Sequence, residues 1–94
     1  GKDEGMLFEH PSERALSFWM KNTKIPLSIA FIRQDGTISE IRDMDPFGLD
    51  SVQSAKPAMW ALEVNQGWFD ENNVKVGDVV DCKARNIRLT ITRN

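Results

Sequence analysis

Apolar residues recur at every second position in several short stretches, and this period of two predicts strands rather than helices. The best stretch is Leu27-Ser28-Ile29-Ala30-Phe31-Ile32, with Leu27, Ile29 and Phe31 expected to point inward. Asp35-Gly36 follows as a hairpin signal, because glycine accepts positive φ at no steric cost. The returning strand is Thr37 to Arg42, where Ile38 and Ile41 are three apart, so a bulge or an early strand end is expected. Ala58 to Val64 alternates again: Ala58, Trp60, Leu62 and Val64 on one face, Met59, Ala61, Glu63 and Asn65 on the other.

The flanking segments are shorter. Met6-Leu7-Phe8 is an apolar run, and Glu9 to Arg14 reads as a turn-rich polar segment. Leu16 to Met20 predicts a strand with Leu16, Phe18 and Met20 on one side. Asp43 to Pro57 reads as a long irregular connection, and connections of that length often carry function. Gly67 opens Trp68 to Asn73 as one or two helical turns, with Asp70 and Glu71 near the positive N-terminal end. Val79 to Cys82 and Ile87 to Thr92 supply two last strands. The fold class that follows is all-β: a jelly-roll-like sandwich or distorted barrel with one short helical turn.

Ninety-four residues make a single domain. Twelve basic and fourteen acidic residues are interspersed, with a net charge of -2. That lacks the basic stripe of a nucleic-acid surface, so no nucleic acid is expected as a partner. Lys83, Arg85 and Arg88 lie close in sequence, and the wet face of a strand explains them equally well. Cys82 is the only cysteine, which excludes an internal disulfide, and on a valine-rich strand it reads as a small buried apolar residue. No stretch of about 20 apolar residues is present to span a membrane as a helix.

Candidate chemistry concentrates at Lys21, Asn22 and Thr23, which bring ammonium, amide and hydroxyl groups together at the end of a strand. They can orient a polar ligand, or cap a turn while Lys21 pairs with a carboxylate. Glu63 lies within an apolar strand, opposite Trp60 and Leu62. If its face is inside, its carboxylate needs a partner, and Lys21 is the obvious one, either as a perturbed site or as a structural ion pair. Asp78 after Gly77 reads as a turn residue accepting backbone N–H bonds. His10 stands without a Cys or His at metal spacing, and Asp43, Asp45 and Asp50 do not follow a calcium loop, so neither metal nor cofactor is expected. Ser17 or Ser54 with His10 lacks the elbow of a hydrolase. Of Trp19, Trp60 and Trp68, the last is expected to reach solvent, while large aromatics otherwise form the core.

The residues just read resemble the DUF192 family, a small bacterial and archaeal domain. The resemblance is carried by Gly5-Met6-Leu7-Phe8, Phe18-Trp19-Met20-Lys21-Asn22-Thr23 and Ile25-Pro26-Leu27. It continues through Phe31-Ile32, Asp35-Gly36, Glu40-Ile41, Ser54, Pro57, Leu62-Glu63, Gly67 and Gly77-Asp78, and so spans nearly the whole chain. It implies a compact β fold, a periplasmic or exported location, and no established activity. Two departures stand out. Ser28 occupies the place where the family usually has Asp, and residues 1–94 are expected to lack an N-terminal strand of the full-length protein. The expected site is Lys21, Asn22, Thr23, Ser54 and Glu63. The expected role is a non-catalytic binding or accessory domain for a small polar ligand, a glycan or an envelope protein. The alternative is an enzyme with Glu63 as acid or base and Lys21 as electrostatic stabiliser.

Overall fold

The computed structural model describes residues 5–18, 25–46, 51–82 and 91–92. Its centre is an antiparallel sheet built from β1 (Gly5–Arg14), β6 (Ala58–Asn65), β3 (Leu27–Ile32) and β4 (Ile38–Met44), in that spatial order. Two small pairs flank it: β2 (Ser17–Phe18) with β5 (Val52–Gln53), and β7 (Val79–Val80) with β8 (Ile91–Thr92). The one helix among the described residues, α1 (Trp68–Glu71), follows β6. The architecture is all-β, and these antiparallel sheets are not closed into a barrel.

The central sheet is covered on both faces, which is why β3 is apolar almost throughout. Ala30 and Ile32 pack with Trp60, Leu62, Val64, Trp68 and Phe69 on one face. Ile29 and Phe31 pack with Leu16, Met44 and Ala61 on the other, backed by Phe8, Phe18 and Leu27. Inward direction is thus not confined to Leu27, Ile29 and Phe31: Ser28, Ala30 and Ile32 are buried as well. Phe18 bridges Phe8 and Phe31 at ring-centroid distances of 5.2 and 6.2 Å, tying β2 to the sheet.

The hairpin expected at Asp35-Gly36 joins β3 to β4. Gly36 has φ +90°, and a Cβ there would meet the Val80 carbonyl oxygen at 2.6 Å, so position and conformation both demand glycine. The expected bulge is present as a register shift that leaves Ser39 unpaired between Ile38 and Glu40.

Four expectations need correction. Glu9 to Arg14 is no separate turn, because β1 runs on to Arg14. Between Glu9 opposite Trp60 and Arg14 opposite Ala58 the strand holds more residues than its partner, and this bulged excess absorbs Pro11, which has no N–H for a ladder. Ala58 packs with Ala61 rather than with Trp60. Asp43 belongs to β4 rather than to the following connection, which also contains β5. Trp68 does not reach solvent: α1 lays it and Phe69 edge to face, centroids 5.6 Å apart, and both are buried.

Candidate functional site

Register across three strands decides what surrounds Glu63. Met6 on β1 and Ile29 on β3 both pair with it, so all three side chains share one face in a single cross-strand row. Directly opposed side chains sit about 5 Å apart at Cβ, so Glu63 stands between two apolar neighbours. Here the sheet opens into a depression of about 300 Å³ lined by Gly5, Met6, Ile25, Leu27, Glu63, Val64 and Asn65. Its rim is unusually apolar for a surface: Met6 is 59% and Ile25 54% exposed. Gly5 permits the close approach of β1, since a Cβ would meet Val64 Cγ1 at 3.0 Å and the Glu63 carbonyl oxygen at 3.1 Å.

Burial pushes the Glu63 carboxyl above the usual carboxylate range. Desolvation by burial is the cause that the described residues supply, and none of their cations offsets it. The next residue along the row is Arg42, opposite Ile29, and its guanidinium turns to Glu40 at 3.1 Å instead. Glu40 is committed as well, accepting from the Ala55 N–H at 2.7 Å and the Lys56 N–H at 3.3 Å.

The other expected site residues separate into two groups. Ser54 lies in the β2–β5 region, where its hydroxyl accepts the buried Leu16 N–H at 3.0 Å and its own N–H donates to the Leu16 carbonyl at 2.9 Å. It therefore clamps two short strands and does not line the Glu63 depression. Lys21, Asn22 and Thr23 lie outside the described residues, as does Trp19. What sequence reasoning missed was the apolar rim. Met6, Ile25 and Leu27 are distant from Glu63 in sequence; strand register brings Met6 and Leu27 to its face, and Ile25 lies just ahead of β3. The alternation that put Glu63 opposite Leu62 was the one available signal.

Elsewhere the polar groups are spent on structure. Asp78 is fully buried and accepts the Lys75 N–H at 3.0 Å, the turn role expected of it. Trp60 is buried and donates its Nε1–H to Glu9 at 3.1 Å. A second hollow at Glu13, Arg33, Gln34 and Asp35 is bridged by Glu13, which accepts the Gln34 N–H at 2.7 Å and tethers β1 to the hairpin. The Asp35 carboxyl is held below its usual range by the Thr37 N–H it accepts at 2.9 Å. The Cys82 thiol is half-buried and pushed up to about 12, by burial first and then by Asp81 and Glu9. No helix among the described residues is long and apolar enough to cross a membrane.

Two solved structures are similar to this chain in fold and sequence. A protein of Sinorhizobium meliloti 1021, described as a candidate transcription regulator, matches with a TM-score of 0.80 and 38% identity over 84% of this chain and 62% of its own. A protein of unknown function from Novosphingobium aromaticivorans DSM 12444 matches with a TM-score of 0.78 and 34% identity, over 84% of this chain and 57% of its own. The chain thus spans roughly three fifths of the length of each. No curated protein matches it. Residues 1–82 match the model of one family, described as Uncharacterized ACR, and on that extent the chain belongs to the DUF192 family.

Proposed function

We propose that this domain is a non-catalytic recognition module that holds a small polar ligand in the depression beside Glu63. The observation that carries the reading is a half-buried carboxyl, desolvated by Met6 and Ile29, at an open apolar-rimmed hollow. Leaving such a group uncompensated costs free energy, and a ligand donating hydrogen bonds to it recovers part of that cost. A hollow of about 300 Å³ lies at the small end of small-molecule sites. Trp60 and Trp68 are buried and offer no stacking platform for a glycan. Lys21, Asn22 and Thr23 lie outside the described residues and carry no part of this reading, and Ser54 is left with its structural role.

The transcription-regulator description of the Sinorhizobium protein gains no support from the charge of this chain, whose acidic residues outnumber its basic ones by fourteen to twelve. The compartment proposed is periplasmic or exported, on family resemblance alone. A second reading, an enzyme using Glu63 as acid or base with Lys21 as electrostatic stabiliser, draws on the same half-buried carboxyl at an open hollow, whose pKa burial pushes up.

A small-molecule screen by thermal shift on the full-length protein, repeated with Glu63→Gln and Lys21→Ala, tests both. Recognition predicts hits that are lost or weakened in Glu63→Gln and recovered chemically unchanged. Catalysis predicts that hits are converted and that conversion ceases in Glu63→Gln. Hits that all persist in both folded variants overturn the site.

A further inference from the structure

We infer that the ligand class taken by the Glu63 depression is an aliphatic amine: an ammonium head on a short apolar body. This rests on the recognition reading above and adds the chemistry of the ligand. The depression presents two demands at once. Its carboxyl is desolvated between Met6 and Ile29, and among the described residues no cation reaches it. Arg42, the cation in its own cross-strand row, lies beyond Ile29 and is held by Glu40 at 3.1 Å.

Its apolar walls on the Glu63 face are Met6, Ile25 and Leu27, with the Asn65 amide as the other polar side chain. An ammonium supplies charge to Glu63 and further donors that the Asn65 amide oxygen can accept. The alkyl body covers Met6 and Ile25, which are 59% and 54% exposed without a ligand. A carboxylate ligand would set like charges together in a half-buried place. An alcohol of the same length would satisfy the apolar walls and give one neutral hydrogen bond, leaving the charge uncompensated.

The test uses three probes of equal length on the full-length protein: n-pentylammonium, n-pentanol and pentanoate. Each is followed by two-dimensional NMR at the side chains of Met6, Ile25 and Leu27. Pentylammonium is expected to give saturable shifts and to bind roughly tenfold more tightly than pentanol, the difference between a charged and a neutral hydrogen bond. Pentanoate is expected to give none. In Glu63→Gln the preference for the ammonium over the alcohol should vanish while the alcohol still binds. A second measurement needs no variant: saturating pentylammonium should lower the titration midpoint of the wild-type Glu63 carboxyl, and pentanol should not. Equal binding of alcohol and ammonium, or preferred binding of pentanoate, overturns the amine class and leaves the recognition site standing. An unmoved midpoint in the presence of bound ammonium also overturns the class. If no probe shifts these three residues at concentrations up to tens of millimolar, roughly the limit of useful affinity, the site and the class fall together.

Discussion

Ser28 Oγ donates a 2.8 Å hydrogen bond to Asp43 Oδ1 across the β3–β4 ladder, where the two residues are register partners. Ser28 is 2% exposed, so the hydroxyl is a buried donor whose acceptor reaches it from a wetter strand. The family resemblance expects Asp at this place. Here the carboxylate comes from the neighbouring strand instead, and the serine serves it.

Restoring that expected residue should therefore harm this chain. Ser28→Asp would set a second carboxylate against Asp43 with almost no solvent to screen it, at a cost of about 2–4 kcal/mol at neutral pH. The added carboxyl would have a folded pKa above its unfolded one. The native state then holds the proton more tightly, so stability falls as pH rises through the folded pKa and recovers toward about pH 4. Urea denaturation of the variant at neutral and acid pH reads this directly. A variant as stable as wild type at neutral pH would contradict the pairing. Ser28→Ala is milder, at about 1 kcal/mol, because Asp43 can turn to water.

Ser54 was expected to meet a ligand, and its geometry assigns it other work. Its hydroxyl is the acceptor for the buried Leu16 N–H, and Ser54→Ala leaves that donor without a partner. The expected loss is about 1–3 kcal/mol, read by urea denaturation. Ligand affinity at the Glu63 depression should be unchanged, because Ser54 is not among the lining residues. A fall in affinity with stability unaltered would reverse this assignment.

How far the sequence foretold these arrangements depends on the range of the interaction. β3, the hairpin at Gly36, the bulge in β4 and the span of β6 follow from period-two alternation and turn chemistry, which act over a few residues. The continuation of β1 past Glu9 was illegible, because it depends on a partner some fifty positions away accepting a bulged strand. Trp68 misled for a related reason: a Gly turn and a one-turn helix suggest exposure, yet the β6 face supplies the apolar surface that covers the indole. At the site, Glu63 announced itself as a carboxylate in an apolar strand. Its neighbours Met6, on β1, and Ile25, just before β3, come from elsewhere in the chain, and no local pattern joins them to it.

Cys82 offers a chemical check on the packing around β6. Burial, Asp81 and Glu9 push its thiol from an ordinary 9.0 up to about 12, so the thiolate is scarce at neutral pH. Alkylation by iodoacetamide near pH 8 should be slower than for an exposed thiol by roughly a thousandfold, and the ordinary rate should return in denaturant. Labelling at the ordinary rate in the native protein would show that Cys82 does not pack beside the Trp60 cluster.

The last prediction concerns the pH dependence contributed by Glu63. Burial raises its folded pKa above the unfolded value near 4.5, so at pH above that value the native state carries an ionised group that its surroundings disfavour. The sign is fixed by proton binding: between the two pKa values the native state binds more protons than the unfolded chain, and stability falls as pH rises. Glu63→Gln removes the charge and keeps the shape. It should be more stable than wild type at pH 7, and the advantage should close as the pH is lowered below the unfolded pKa. Half-exposure limits the size of the gain, since solvent screens part of the cost. Paired urea titrations of wild type and variant across this range measure the difference. A variant less stable than wild type at pH 7 would mean that a cation from the chain already serves Glu63, and the depression would then have no charge left to offer a ligand.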